Sequence, residues 1–279
     1  INGELSTYNY FSKVVTGCHK NGEFIYSVKN GNIGLRNINM AEREGQLIGI
    51  MGASGAGKTT LLNVLCGNEK PSEGCVLING RNLHTEPEKL EGVIGLIPQD
   101  DLLIEELTVY ENLYYSAKLC FRNKSEEEIK ELVCRTLDNL GLYERKDLVV
   151  GSPLNKSISG GQRKRLNIAL ELIREPAVLF VDEPTSGLSS GDSENVVNLL
   201  RELAVKNGKL VFVVIHQPSS DIYKMFDKMF ILDTGGYPVY YGDPVGAITY
   251  TKTQIGQAAD QGACGECGNV NTELVFNVL

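Results

Sequence analysis

Between the apolar run Leu47 to Met51 and the helical run Thr60 to Cys66 lies Gly52-Ala53-Ser54-Gly55-Ala56-Gly57-Lys58-Thr59, and this segment limits the possible folds more than any other. Glycines at positions 52, 55 and 57 let the backbone turn its N–H groups inward. A helix starting directly behind them points its positive end into the concavity, and Lys58 adds a full charge. A strand, a glycine turn and a helix in that order form a cradle for phosphate oxygens, with the lysine on the terminal phosphates and the Thr59 hydroxyl offered to Mg²⁺. The expected phosphate contacts run from Gly52 through Thr60.

The rest of the chain supplies the sheet that such a turn needs. Leu47 to Met51, Cys75 to Ile78, Val93 to Ile97, Val178 to Val181 and Leu210 to Ile215 read as buried strands, with helical patterns between most of them. Alternating strands and helices predict an α/β fold with a mostly parallel sheet and ligand sites beyond the carboxyl ends of the strands. Between Leu102 and Arg174 the periodicity is helical throughout. Ser125 followed by Glu128 makes a capping box, Ile129, Leu132, Val133, Thr136, Leu137 and Leu140 recur at helical spacing, and Gly141 supplies the stop. This stretch, about 102–174, is expected as a helical lobe inserted into a domain covering 23–245. Residues 1–22 carry no firm structural signal, and 246–279 form a C-terminal extension.

Val178-Leu-Phe-Val181-Asp182-Glu183 delivers two adjacent carboxylates at the tip of an apolar strand. Consecutive strand residues point to opposite sides, so the pair can divide labour. Asp182 is expected to hold Mg²⁺ and Glu183 to polarise the attacking water as general base.

Composition narrows the partners. A formal charge of −8 gives no overall basic field, so binding driven by nucleic-acid phosphates is not expected. The one dense basic cluster, Arg163-Lys164-Arg165, falls inside a helix and reads as a solvated face. The seven cysteines are odd in number and scattered, which reads as reduced and intracellular. No apolar run approaches the roughly 20 residues that cross a bilayer. A start at Ile1 and a stop at Leu279 in mid-pattern read as a piece of something longer.

Ser159-Gly160-Gly161-Gln162 heads the helical run Arg163 to Ile173. Physically it is a second helix N-terminus with bare backbone N–H groups and a hydroxyl, a clamp for an anion. With this segment the chain resembles the ABC ATPase superfamily. The resemblance covers about residues 24–245 and implies a P-loop NTPase fold of the ABC type: a mostly parallel core sheet, an antiparallel β subdomain and an inserted helical lobe. It also implies that Ser159, Gly160, Gly161 and Gln162 reach across a head-to-tail dimer to the ATP held by a second ABC ATPase domain. Gln99, in Ile97-Pro-Gln99-Asp, would touch Mg²⁺ and water, and His216, after the last apolar strand, would contact the γ-phosphate. Pro98-Gln-Asp-Asp101, Leu107-Thr-Val-Tyr-Glu-Asn112, Pro184-Thr-Ser-Gly-Leu188, His216-Gln-Pro-Ser219 and Val239-Tyr-Tyr-Gly242 are similar to the G or White-like exporter branch. That branch implies ATP hydrolysis at the cytoplasmic face of a membrane and an ABC-2 type transmembrane partner, on the same or a separate polypeptide. Two other readings stay open: a soluble ABC ATPase acting on ribosomes or DNA, and a slow regulatory ATP sensor.

The chain departs from the family in three places. Ser186-Gly-Leu-Ser189 ends in serine where the family has aspartate, which removes a charge from the expected dimer seam. The position of the usual adenine-stacking aromatic falls on Val28, with Tyr26 its near neighbour. Cys264-Gly-Glu-Cys267 has metal-ligand spacing, yet tetrahedral zinc needs four ligands and no second pair lies nearby.

Overall fold

The middle strands are unbroken apolar runs because both of their faces are covered. The computed structural model describes residues 13–16, 34–152, 157–256 and 269–276; Val28, Tyr26, Cys264 and Cys267 lie outside them. In chain order the strands are β1 (Lys13–Thr16), β2 (Ala41–Arg43), β3 (Leu47–Gly52), β4 (Val76–Ile78), β5 (Arg81–Asn82), β6 (Ile94–Ile97), β7 (Val178–Asp182), β8 (Leu210–Val214), β9 (Lys228–Asp233) and β10 (Tyr237–Gly242). The helices are α1 (Lys58–Cys66), α2 (Val109–Cys120), α3 (Glu126–Asn139), α4 (Gly160–Leu172), α5 (Ser190–Val205), α6 (Ser220–Lys224), α7 (Pro244–Gln254) and α8 (Glu273–Phe276).

Six strands form the central sheet in the order β10-β9-β3-β8-β7-β6, all parallel except β10, which returns antiparallel beside β9. Its pleat sorts the side chains into two cores. Ile48, Ile50, Val178, Phe180, Phe212 and Val214 face the side that holds α1, where the Phe180 and Phe212 rings stack at 5.1 Å. Leu47, Met51, Leu179, Val181, Val211 and Val213 face the other side, against α5, α6 and α7. Burying a large apolar side chain contributes about 1.5–3 kcal/mol, so this double-sided filling is what holds the strand ends in register.

The second sheet is antiparallel, β2-β1-β4-β5, and lies over the α1 side. The run Cys75 to Ile78 therefore belongs to this sheet and not to the parallel one. β1 lies in the opening segment that carried no sequence signal; its pairing with both β2 and β4 gives it a place in the sheet. Lys228 on β9 donates to both carboxylate oxygens of the fully buried Glu42 on β2, at 3.0 and 2.9 Å, and so ties the two sheets together. Burial pushes the Glu42 carboxyl up and the lysine opposes the shift.

α2, α3 and α4 lie between β6 and β7 in sequence and enclose a third core, with Val109, Leu113, Val133, Leu137 and Leu166 fully buried. Each begins with a reciprocal capping box: Thr108 with Glu111, Ser125 with Glu128, Ser159 with Gln162. Gly141, at φ 62°, ends α3: its N–H bonds to Asp138 O at 2.9 Å, and Leu142 N–H reaches back to Leu137 O at 2.8 Å. The packing continues past residue 245. Ala247 and Ile248 of α7 are fully buried, and Val270 and Val275 enter the same core.

Cys75 stands in a disulfide, whereas Cys66, Cys120 and Cys134 are free thiols. The expectation of uniformly reduced cysteines is corrected there. A cysteine count cannot tell which thiols folding brings within the roughly 6 Å between Cα atoms that a disulfide spans. Among the described residues no helix is long and apolar enough to cross a membrane.

Replacing Ser125 with alanine removes the acceptor for Glu128 N–H and opens the capping box of α3. The expected cost is about 1 kcal/mol, read as a lowered midpoint in chemical denaturation.

Candidate active site

β3 ends at Gly52, and the loop to α1 depends on glycine at positions 52, 55 and 57, with Gly55 at φ 80°. At Gly52 an added Cβ would stand 2.4 Å from the Leu232 carbonyl oxygen. Gly57, the residue before α1, has φ 94°, a left-handed conformation costly for other residues. α1 starts at Lys58, two residues earlier than the apolar periodicity suggested. Lys58 is 7% exposed. Its ammonium folds back across the mouth of the loop and donates to the carbonyl oxygens of Gly52 and Ala53, both at 2.9 Å. Burial lowers its pKa, with Glu183 and Asp182 pulling the other way.

The same pleat that alternates the core residues of β7 brings Asp182 to the α1 side, following Val178 and Phe180. There Thr59 Oγ1 donates to Asp182 Oδ2 at 3.3 Å. Burial is the largest influence on Asp182 and raises its pKa; the Thr59 hydrogen bond opposes this and the neighbouring Glu183 adds to it. An acid raised in this way holds its proton more readily in the folded chain than in the unfolded one. Its burial cost is therefore carried at pH above the shifted value and released as the pH falls through it.

Glu183 leaves the strand geometry at φ 42° while its N–H still donates to Val214 O at 3.0 Å. The turn keeps Glu183 at the mouth of the site, where the side-chain amide of Gln99, just past β6, donates to Glu183 Oε2 at 3.2 Å. Past the end of the neighbouring strand β8, His216 is exposed two residues beyond the level of Asp182, since β7 and β8 pair Asp182 with Val214. Gln217 next to it also has a positive φ, 43°. Two strained turns thus stand side by side at the ends of β7 and β8, the kind of stored strain that clusters where geometry matters for chemistry. Thr59 is thus joined to Asp182 and Gln99 to Glu183 at the carboxyl end of the sheet, with Lys58 next to Thr59 and His216 beyond the end of β8.

Ser159 to Gln162 stand apart. Ser159 Oγ accepts from Gln162 N at 3.1 Å and Ser159 N–H donates to Gln162 Oε1 at 2.8 Å, so the hydroxyl proton remains to be donated outward. An added Cβ at Gly161 would lie 2.5 Å from Asp192 Oδ1. The start of α4 is pressed against the first turn of α5. Ser189 caps that turn, accepting from Asp192 N and donating to Asp192 Oδ2, both at 3.2 Å. Among the described residues no hydrogen bond joins Ser159 or Gln162 to the glycine loop of the same chain.

The basic cluster is not a solvated face. Arg163 is 5% exposed, with Nε 3.0 Å from Asp101 Oδ2, Nη2 3.1 Å from Asp101 Oδ1, and Nη1 on the Gly151 carbonyl. Lys164 Nζ donates to the Gln99 carbonyl, and Arg165 Nη1 to Leu140 O at the end of α3 at 3.0 Å. The long aliphatic stems cross the surface of α4 and place their charges on acceptors of neighbouring segments. These contacts of Asp101, Arg163 and Lys164 were not anticipated. A signal existed: Arg163 shares a helical stripe with Leu166, Asn167 and Leu170, where a charge is costly unless paired.

The sequence model of a family described as ABC transporter matches residues 35–186. The ABC-type transporter claG of Penicillium crustosum is 39% identical over 206 residues, covering 74% of this chain and 27% of that protein. ABC transporter G family member 13 of Arabidopsis thaliana is 39% identical over 220 residues, covering 77% of this chain and 32% of that protein. A probable ATP-dependent permease of Saccharomyces cerevisiae is 38% identical over 212 residues, covering 75% of this chain and 20% of that protein. The chain thus spans about a fifth to a third of the length of these relatives. Among solved structures, cbiO1 of Clostridium perfringens, part of the ABC transporter complex cbiONQ, superposes with a TM-score of 0.74 at 27% identity, covering 88% of this chain and 94% of that one.

Because Asp182 carries a burial cost at neutral pH, Asp182→Asn is expected to raise the melting temperature of the nucleotide-free protein. It is also expected to abolish the further rise that Mg²⁺ adds in the presence of ATP. Differential scanning fluorimetry with ATP and EDTA against ATP and Mg²⁺ reads both effects.

Proposed function

Since the chain belongs to the ABC transporter family, we propose that it is the ATP-binding and ATP-hydrolysing motor of an exporter of the G or White-like branch, working at the cytoplasmic face of the membrane. The observation that carries this reading is the gathering of Lys58, Thr59, Asp182, Glu183 and Gln99 at the carboxyl end of the sheet, while the Ser159 helix N-terminus is presented outward on the helical lobe. One half of an ATP site and the complementary half of another are then displayed by a single chain. Such an arrangement is completed by a second ABC ATPase domain in head-to-tail contact.

The residues fit the nucleotide. Gly52 to Thr60 run through a turn and into α1, and at Gly52 the Leu232 carbonyl leaves no room for a side chain. Lys58 gives up its two loop carbonyls for phosphate oxygens, a stronger partner for an ammonium. Thr59 and Asp182 present oxygen ligands only, the chemistry Mg²⁺ prefers, and Gln99, which holds Glu183 through its amide nitrogen, would add its amide oxygen. When bound, Mg²⁺ neutralises charge on the phosphates during transfer. Glu183 is the general base: its carboxylate takes the proton of the attacking water, and its turn off the strand keeps it at the mouth of the site instead of beneath the sheet. His216 orients toward the γ-phosphate from the adjacent strand end, and the partner's serine and glycine N–H groups close over it. Val28 is retained as the base contact.

The transmembrane partner is of the ABC-2 type, on the same or a separate polypeptide, and no nucleic acid is involved. The relatives' names describe transporters and a permease, which favours the exporter reading over a ribosomal or DNA role. Glu183→Gln is expected to lower ATP turnover by about 10²-fold or more while ATP still binds. Lys58→Ala is expected to weaken ATP binding itself. Phosphate release and equilibrium binding of a fluorescent ATP analogue, measured on the full-length protein, separate the two.

A further inference from the structure

The strand order of the central sheet gives a bound nucleotide a direction. The phosphate loop follows β3. The residues that meet cation and water, Asp182, Glu183, Gln99 and His216, stand on the β8, β7 and β6 side of it, and the β9–β10 hairpin stands on the other. With the γ-phosphate turned toward Glu183, the opposite end of the triphosphate is carried toward the hairpin. What the hairpin presents there is an aromatic ring. Tyr237, the first residue of β10, is 45% exposed, and the Arg36 guanidinium lies 5.0 Å from its ring centre. Arg36 Nη1 also donates to the Tyr237 hydroxyl at 2.8 Å.

Close packing holds this pair beside the loop. Arg36 N–H donates to Gly236 O at 2.8 Å, and a Cβ added at Gly236 would stand 2.1 Å from the Gly34 carbonyl oxygen, so the hairpin and the segment before β2 meet backbone to backbone. Leu35, between Gly34 and Arg36, is fully buried and packs on Gly57, where an added Cβ would lie 3.2 Å from Leu35 Cδ2. Leu232, on the strand that leads into the hairpin, pairs with Gly52 at the other end of the loop. The ring is thus anchored through both ends of the phosphate cradle.

We propose that Tyr237, with its ring fixed by Arg36, is the platform on which the base of the bound nucleotide stacks. The position where the family carries a stacking aromatic is Val28 in this chain, an aliphatic side chain that offers a base an apolar contact and no π face. Tyr237 supplies that face from the hairpin. The guanidinium beside it holds the ring in one orientation and so lowers the ordering cost of stacking. Stacking reads the flat face of a base and none of its edge groups, so the site accepts GTP as well as ATP. The proposal deepens the ATP-binding reading and rests on it.

The test is calorimetric binding to the purified full-length protein, with the Mg²⁺ complexes of ATP, GTP and tripolyphosphate as titrants; tripolyphosphate fills the cradle and has no base. Tyr237→Ala is expected to raise the Kd of ATP and of GTP by about tenfold, the size of one aromatic–base stack, and to leave that of tripolyphosphate within about twofold of the parent. Tyr237→Phe keeps the ring and is expected to stay within about threefold of the parent for all three. Should Tyr237→Ala fail to fold, Tyr237→Leu keeps the bulk without the π face and is expected to show the same split. An unchanged ATP affinity in the folded variant, a loss shared by tripolyphosphate, or a loss as large in Tyr237→Phe overturns the stacking role. So does a loss for ATP with none for GTP, which would mean recognition of the base edge. In each of these cases the nucleotide site itself still stands if Lys58→Ala weakens all three ligands. A parent protein that binds none of them overturns this proposal and the ATP-binding reading together.

Discussion

The parallel register of β3, β8 and β7 is the constraint on which the rest depends. Three strands buried on both faces must alternate their side chains between two cores, so their ends are fixed to within one residue. A slip of one position would send every apolar side chain to the opposite face and carry Asp182 away from α1. The contact between Thr59 and Asp182 is thus a consequence of where Val178 and Phe180 pack. It needs no interaction of its own to hold it, and at 3.3 Å it is a long hydrogen bond that a ligand could replace.

At the strand ends the stabilising logic reverses. Lys58 and Asp182 are charged groups withdrawn from water, and burial works against the ionised form of each. Glu183 and Gln217 hold positive φ. These features cost stability in the empty protein and are sustained by the apolar sheet beneath them, the usual relation between a rigid scaffold and a strained site. Lys58 offsets part of this cost with two loop carbonyls and Asp182 with the Thr59 hydroxyl.

The helical lobe is attached to that site by polar contacts as well as by shared core. Its core runs into the one beside α5, since Ile168 of α4 is buried there and Leu172 and Leu199 pack against both, and α4 also meets the Gln99 segment through Arg163, Lys164 and Asn167. Directional hydrogen bonds at successive residues transmit position where an apolar contact would allow sliding. That distinguishes the lobe from the antiparallel sheet, which contributes Val76 and Ile78 to the same core as α1 and is tied on by the buried Glu42 besides.

Local chemistry was legible in the order of residues alone. The glycine loop, the apolar runs of the three central strands, the capping box at Ser125 and the stop at Gly141 each depend on neighbours within a few positions, and all are present as the spacing implied. β9 and β10 were not read as strands, because β10 is an edge strand only half-buried and its pairing with β9 comes from the sheet. β1, likewise, exists through its partners. The burial of Arg163 was decided by Asp101, 62 residues away in sequence. Sequence by itself settled where a glycine turn joins strand to helix, where two carboxylates end an apolar strand and which residue caps a helix, since those are properties of side chains and short turns. Only the tertiary structure decided which of them share an edge, which face Asp182 takes and what the basic cluster grips, because those follow from long-range packing that no local pattern encodes.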